Sequence, residues 1–143
     1  MTLEIPAGTM KKIHLQGEQA YPEEGAGLLL GKLDGDRKRV VSVVLLDNQR
    51  EENARRNRYL LGPGDYLLGE EEASRLGLEV LGVFHSHPDH PNLPSDFDRD
   101  WAWPVFTYLI TSVWSGKAGE SRAWRLVEDR SGFAEEPVAI VDP

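Results

Sequence analysis

Leu3 and Ile5 alternate with polar neighbours and stop at Pro6, which predicts a short edge strand. Met10, Ile13 and Gly17 then fall at i, i+3 and i+7. That spacing predicts a helix with one apolar edge within residues 7–19, its far end weakened by Gly17. Tyr21-Pro22 breaks the helix. Gly25–Gly31 is short, apolar and bounded by glycine, as a buried strand would be, and its small residues permit close backbone approach. Asp34-Gly35 is a hairpin signal, and the valine-rich run Arg39–Leu46 is the return strand. Asp47–Arg58 is polar and charged and is expected to be a loop, with a short strand at Tyr59–Leu61. Gly62-Pro63-Gly64-Asp65 is turn-like, with Asp65 as the expected cap of a helix over Tyr66–Leu76 that Gly77 stops. Leu78–Phe84 predicts a central strand. Beyond it come a short helix at 96–103, a strand pair Phe106–Val113 and Arg122–Glu128, and a last edge strand Val138–Val141. There is no internal repeat or linker, so one domain over 1–143 is expected. The mixture predicts an α+β fold with helices packed on a curved, mixed sheet.

Composition narrows the functional classes. The chain has 143 residues, 40% apolar and 28% charged, and is long enough to bury a core without disulfides. Its net charge of −8 argues against a general nucleic-acid or anionic-membrane binder. No signal peptide and no membrane-spanning run is evident, so a cytoplasmic location is expected. Cysteine is absent, which excludes a thiolate metal site and a cysteine nucleophile.

The candidate chemistry lies in His85-Ser86-His87-Pro88 and Ser95-Asp96-Phe97-Asp98. Alternation along a strand puts residues 85 and 87 on one side, as two ligands of one metal require. Two imidazoles and a carboxylate suit zinc, and three protein ligands leave a fourth position for water, the mark of a catalytic site. Such a water still needs a base. Composition alone does not choose it among the glutamates.

These residues, together with Glu24-Gly25-Ala26-Gly27-Leu28-Leu29-Leu30-Gly31, resemble the JAMM (MPN+) metalloprotease family in its small prokaryotic form. That family's pattern is a glutamate on an early strand, His-x-His, seven residues, then Ser-x-x-Asp. Tyr21-Pro22-Glu23-Glu24 and Arg122-Ala123-Trp124-Arg125-Leu126 also resemble its flanking segments. The resemblance implies an MPN-like (cytidine deaminase-like) fold, and zinc held by His85, His87 and Asp98. It also implies Glu24 as general acid/base and Ser95 as hydrogen-bond donor to the oxyanion. The implied substrate is a ubiquitin-like or sulfur-carrier protein cut after its carboxyl-terminal Gly-Gly, and a homodimer is left open. A Gly-Gly tail, lacking side chains, suits an extended approach to a narrow site. Where the family often has cysteine two residues after the glutamate, this chain has Ala26, a packing position.

Other readings compete. Ser95-x-x-Asp98 is also a capping-box pattern, and both roles can hold together. His90 is either a substrate contact or a solvated loop residue, and His14 is structural or exposed. The arginines of the 47–58 segment, Arg50, Arg55, Arg56 and Arg58, either face an acidic partner or are simply solvated. Trp101, Trp103 and Trp124 are expected in packing, with Trp101 or Trp103 alternatively lining a groove. The alternatives in function are a hydrolase of a small amide using the same site and a non-catalytic MPN scaffold. A zinc deaminase would need cysteine ligands.

Overall fold

The computed structural model describes residues 1–46 and 61–142. Among the described residues the strands are β1 (Thr2–Pro6), β2 (Ala26–Asp34), β3 (Arg37–Leu46), β4 (Glu79–Pro88), β5 (Thr107–Trp114), β6 (Lys117–Leu126), β7 (Phe133–Glu136) and β8 (Val138–Val141). The helices are α1 (Ala7–Ala20), α2 (Pro63–Leu76) and α3 (Asp96–Trp101). The strands form one sheet in the order β7-β6-β5-β4-β2-β3-β1-β8. β4–β5, β1–β3 and β1–β8 are parallel and the other pairs antiparallel, so the sheet is mixed as expected. It is also strongly curved. Lys38 on β3 pairs with Glu136 on β7 at 3.3 Å, though the two strands lie far apart in the order. Thr107 on β5 joins them by donating to Glu136 at 2.6 Å.

The alternation of β2 and β4 sorts the core into two layers. Leu28, Leu30, Val83 and Ala73 of α2 share one cluster; Leu29, Phe84, Met10 and Ile13 share the other with α1. The helices thus cover opposite faces of the central strands. Residues 85 and 87 follow Val83 onto the α2 side, and Ser86 follows Phe84 onto the α1 side.

Several expected elements are corrected. β1 is not an edge, because β8 pairs beyond it and becomes the edge itself. α1 does not weaken at Gly17. A Cβ there would sit 3.2 Å from Ser86 Cβ and 3.2 Å from Val113 Cγ2, so the glycine is where the helix lies against the sheet. α2 begins at Pro63, whose missing N–H costs nothing in a first turn. Asp65 caps from inside it, at N3, accepting the Gly62 N–H at 2.9 Å. Gly77 ends the helix in the left-handed conformation at φ 71, as anticipated. β4 continues through the histidines to Pro88, and β7 was not foreseen. The expected loop 47–58 and most of the strand at 59–61 lie outside the described residues; Leu61 itself is buried and not in a strand. No helix among the described residues is long and apolar enough to cross a membrane.

A Cβ at Gly82 would collide with the backbone of Thr107, which cannot move without unzipping β4 from β5. Gly82→Ala should therefore destabilise the protein by on the order of 1–3 kcal/mol in urea titrations. Gly8→Ala, with nothing near the added methyl, should instead stabilise by up to about 1 kcal/mol.

Candidate active site

β4 lies between β5 and β2, and every residue from Leu81 to Pro88 is buried. It carries His85 and His87 to one point with their rings 5.0 Å apart. Ser86, between them, turns the other way. Its Oγ accepts the Gly25 N–H at 2.8 Å, and its own N–H donates to the Gly25 carbonyl at 3.0 Å. This clamp fixes the backbone beside Glu24. Ala26 pairs with His85, so Glu24 falls opposite His87 when the register is continued. Gln16 of α1 holds the same segment by donating to the Ala26 carbonyl at 2.7 Å.

Asp98 comes from α3. The Ser95 hydroxyl accepts the Asp98 N–H at 3.1 Å, and the Asp98 carboxylate accepts the Ser95 N–H at 2.8 Å. This is the reciprocal capping box foreseen from the spacing, and it sets the carboxylate's orientation. With its oxygen accepting, the Ser95 hydroxyl keeps its hydrogen to donate elsewhere.

The result is a tight triangle. His85 Nε2 lies 3.2 Å from His87 Nε2 and 3.2 Å from Asp98 Oδ1, and His87 Nε2 lies 3.2 Å from Asp98 Oδ2. Glu24 stands beside it, with a carboxylate oxygen within 4.8 Å of a nitrogen of each histidine. Glu24, His85, His87 and Asp98 are all buried. His87 Nδ1 lies 2.8 Å from the Pro91 carbonyl, which can only accept. The hydrogen therefore sits on Nδ1, and Nε2 offers a lone pair to the triangle. Burial pushes the His85 imidazole below its ordinary value, against the pull of the Asp98 charge. Burial alone would raise the Asp98 carboxyl, but the neighbouring imidazoles outweigh it and hold the group below the usual carboxylate range.

Lone pairs converging at this spacing suit a cation. Bonds of about 2.0 Å to a tetrahedral ion put ligand atoms about 3.3 Å apart, close to the observed edges. The donors, nitrogen and oxygen without sulfur, are those zinc accepts. The residues present therefore fit the expected metal.

A cleft of about 430 Å³ opens beside the triangle, lined by Glu24, His87, His90, Leu93, Ser95 and Phe97 among others. His90 is exposed at its wall. His14 lies away from the cleft, bonded to Ser121 Oγ at 2.9 Å. Trp124 is packed as expected at 8% exposure, whereas Trp101 and Trp103 are 54% and 56% exposed. These two line a separate apolar groove of about 490 Å³ with Tyr66, Leu67 and Phe106. The Trp101 ring meets Phe97, and the Trp103 ring meets Tyr66 and Phe106. Sequence reasoning missed Ser86 and Gly17. Strand alternation carried the signal for the first, and a glycine at the buried helical spacing carried it for the second.

A family model described as "Prokaryotic homologs of the JAB domain" matches residues 6–127. The chain is 32% identical over 141 residues to a desampylase of Pyrococcus furiosus, covering 97% of this chain and 91% of the relative. It is also 32% identical over 111 residues to a Thermus thermophilus protein named "Probable TtuB-protein conjugate cleaving protease", covering 77% and 70%. A protein structure from Desulfitobacterium hafniense superposes with a TM-score of 0.86 at 29% identity, over 99% of this chain and 94% of the other. A JAB1/MPN domain protein from Archaeoglobus fulgidus, at 20% identity and TM-score 0.57 over 97% and 99%, shares the fold.

Because Asp98 is held below its ordinary value, its ionised form stabilises the folded chain above the usual aspartate value of about 4, and this contribution is lost as pH falls. In metal-free protein, Asp98→Asn should flatten the acid limb of the stability–pH curve measured by chemical denaturation. An unchanged acid limb would contradict this assignment.

Proposed function

The chain belongs to the prokaryotic homologs of the JAB domain, and on that premise we propose that it is a cytoplasmic zinc-dependent isopeptidase or peptidase. It releases a ubiquitin-like or sulfur-carrier protein by hydrolysing the bond after that protein's carboxyl-terminal Gly-Gly. The observation that carries the reading is the buried triangle of His85, His87 and Asp98 with Glu24 beside it at the cleft wall. The names of the Pyrococcus and Thermus relatives support the substrate class.

His85, His87 and Asp98 would hold the zinc. When bound, it supplies a Lewis acid that polarises the scissile carbonyl and eases ionisation of water. The chain's own residues do the rest. Asp98, whose two oxygens each stand 3.2 Å from one histidine Nε2, would be the third ligand in this reading, although Glu24 also lies within 4.8 Å of both histidines. Glu24 is left facing the cleft as the acid/base. It takes a proton from the attacking water and returns it to the leaving nitrogen as the carbon–nitrogen bond breaks. The products are a carrier ending in a glycine carboxylate and a free amine. Ser95 donates its remaining hydrogen to the oxyanion that develops on the carbonyl oxygen. The cleft, walled by Pro88, Pro91 and Leu93, gives a tail without side chains room to lie extended. His90, exposed at the rim, is a substrate contact in this reading. A non-catalytic scaffold would have no use for a buried glutamate beside such a triangle.

The test is a ubiquitin-like sulfur carrier extended beyond its Gly-Gly, incubated with zinc-loaded protein and analysed by mass spectrometry. Cleavage should fall directly after Gly-Gly and stop on chelation. Glu24→Gln should lower turnover by about 10²–10⁴-fold while retaining zinc. Ser95→Ala should lower it by about 10²–10³-fold. Equal rates on an unstructured Gly-Gly peptide and on the folded carrier would sink the carrier assignment.

A further inference from the structure

The loop between β4 and α3 has no regular structure, yet it supplies the carbonyl that orients His87. Moving the ring hydrogen from Nδ1 to Nε2 would withdraw a lone pair from the triangle. What holds the Pro91 carbonyl in place is therefore part of the site. Backbone bonds secure the start of the loop, where the Asp89 N–H donates to the Val113 carbonyl at 2.8 Å and the His90 N–H to the His87 carbonyl at 3.5 Å. Pro91 has no N–H of its own.

The next residue is held from two directions. Asn92 Nδ2 donates to the Glu120 carbonyl at 3.0 Å, and Trp124 Nε1 donates to the Asn92 carbonyl at 3.0 Å. Both partners belong to β6, and both Asn92 and Trp124 are buried. β6 is in turn paired with β5 on either side of an irregularity opposite Glu120, so the two bonds tie a loop residue to the sheet. Fixing Asn92 at both its side chain and its carbonyl fixes the peptide that precedes it, and that peptide carries the Pro91 oxygen.

We propose that Asn92 and Trp124 are positioning residues which, through the Pro91 carbonyl, set the ring orientation and tautomer of His87. The inference rests on His87 being a metal ligand. The tautomer, however, belongs to the metal-free chain and can be read without zinc. Groups that orient a ligating histidine through its second nitrogen commonly change metal affinity 10–100-fold when removed.

Trp124→Phe keeps an aromatic ring in the core and deletes the indole N–H. Asn92→Ala deletes the side-chain bond to Glu120. Each variant is made in the full chain, and Tm of the zinc-free protein reports general damage. Long-range ¹H–¹⁵N correlation of the histidine rings, recorded near pH 8 where imidazoles are ordinarily neutral, should show His87 protonated at Nδ1 in the parent chain. Both variants should shift it toward Nε2. Zinc affinity, measured by competition with a chromogenic chelator, should fall about 10–100-fold in each. The double variant should lose little more than the worse single one, because both bonds serve one strap. An unchanged His87 tautomer, or zinc affinity within twofold of the parent despite a lower Tm, would overturn the proposal. A parent chain that binds no zinc would instead overturn the metal reading, with the tautomer still deciding the role of the strap.

Discussion

Two imidazole nitrogens and a carboxylate in a buried space at 3.2 Å separations need a hydrogen or a cation between them, because otherwise their lone pairs face one another. That constraint organises the centre of the molecule. Burial limits how far solvent can separate these lone pairs, so a proton or a cation at their focus favours the arrangement. The ring hydrogen of His87 is already committed to Pro91, and burial keeps His85 from charging readily. A metal ion satisfies all three donors at once. The neighbouring carboxylate of Glu24 is then left for the acid/base role proposed for it.

Everything near the triangle serves to hold it. The β4 backbone places the two rings, and its pairing with β2 brings Glu24 to their side. Ser86, facing away, ties the two strands through Gly25. Gly17 lets α1 lie close beneath that clamp, where a larger residue would push the helix off the strand. The capping box of α3 gives Asp98 its direction while keeping a Ser95 hydrogen free for chemistry. These contacts come from four separate stretches of chain, and that is how a site of three short motifs becomes rigid enough to act.

The sequence was most readable where the physics is local. Alternation put His85 and His87 on one side, Ser95-x-x-Asp98 spelled its own cap, and Gly77 stopped α2. The resemblance to JAMM metalloproteases, carried by the same motifs, gave the fold that the superpositions bear out. Non-local features were hidden. β1 reads as an edge because nothing in its own residues announces the parallel partner β8, which arrives from the other end of the chain. Gly17 reads as a weak point because a helix's need for a small residue depends on what it lies against. For Trp101 and Trp103 the sequence left packing and a groove wall open, and the structure places both half in solvent along a groove. Asn92 carried no signal, since its two bonds reach β6 across some thirty residues.

The most direct test is X-ray absorption at the zinc edge of the zinc-loaded protein. The account predicts one zinc per chain with four light ligands at about 2.0–2.1 Å, no sulfur, and multiple scattering from two imidazoles. Asp98→Asn should alter the first shell and keep both imidazoles. A shell with fewer than two imidazoles, or zinc whose spectrum ignores Asp98, would contradict the assignment of the triangle as the metal centre.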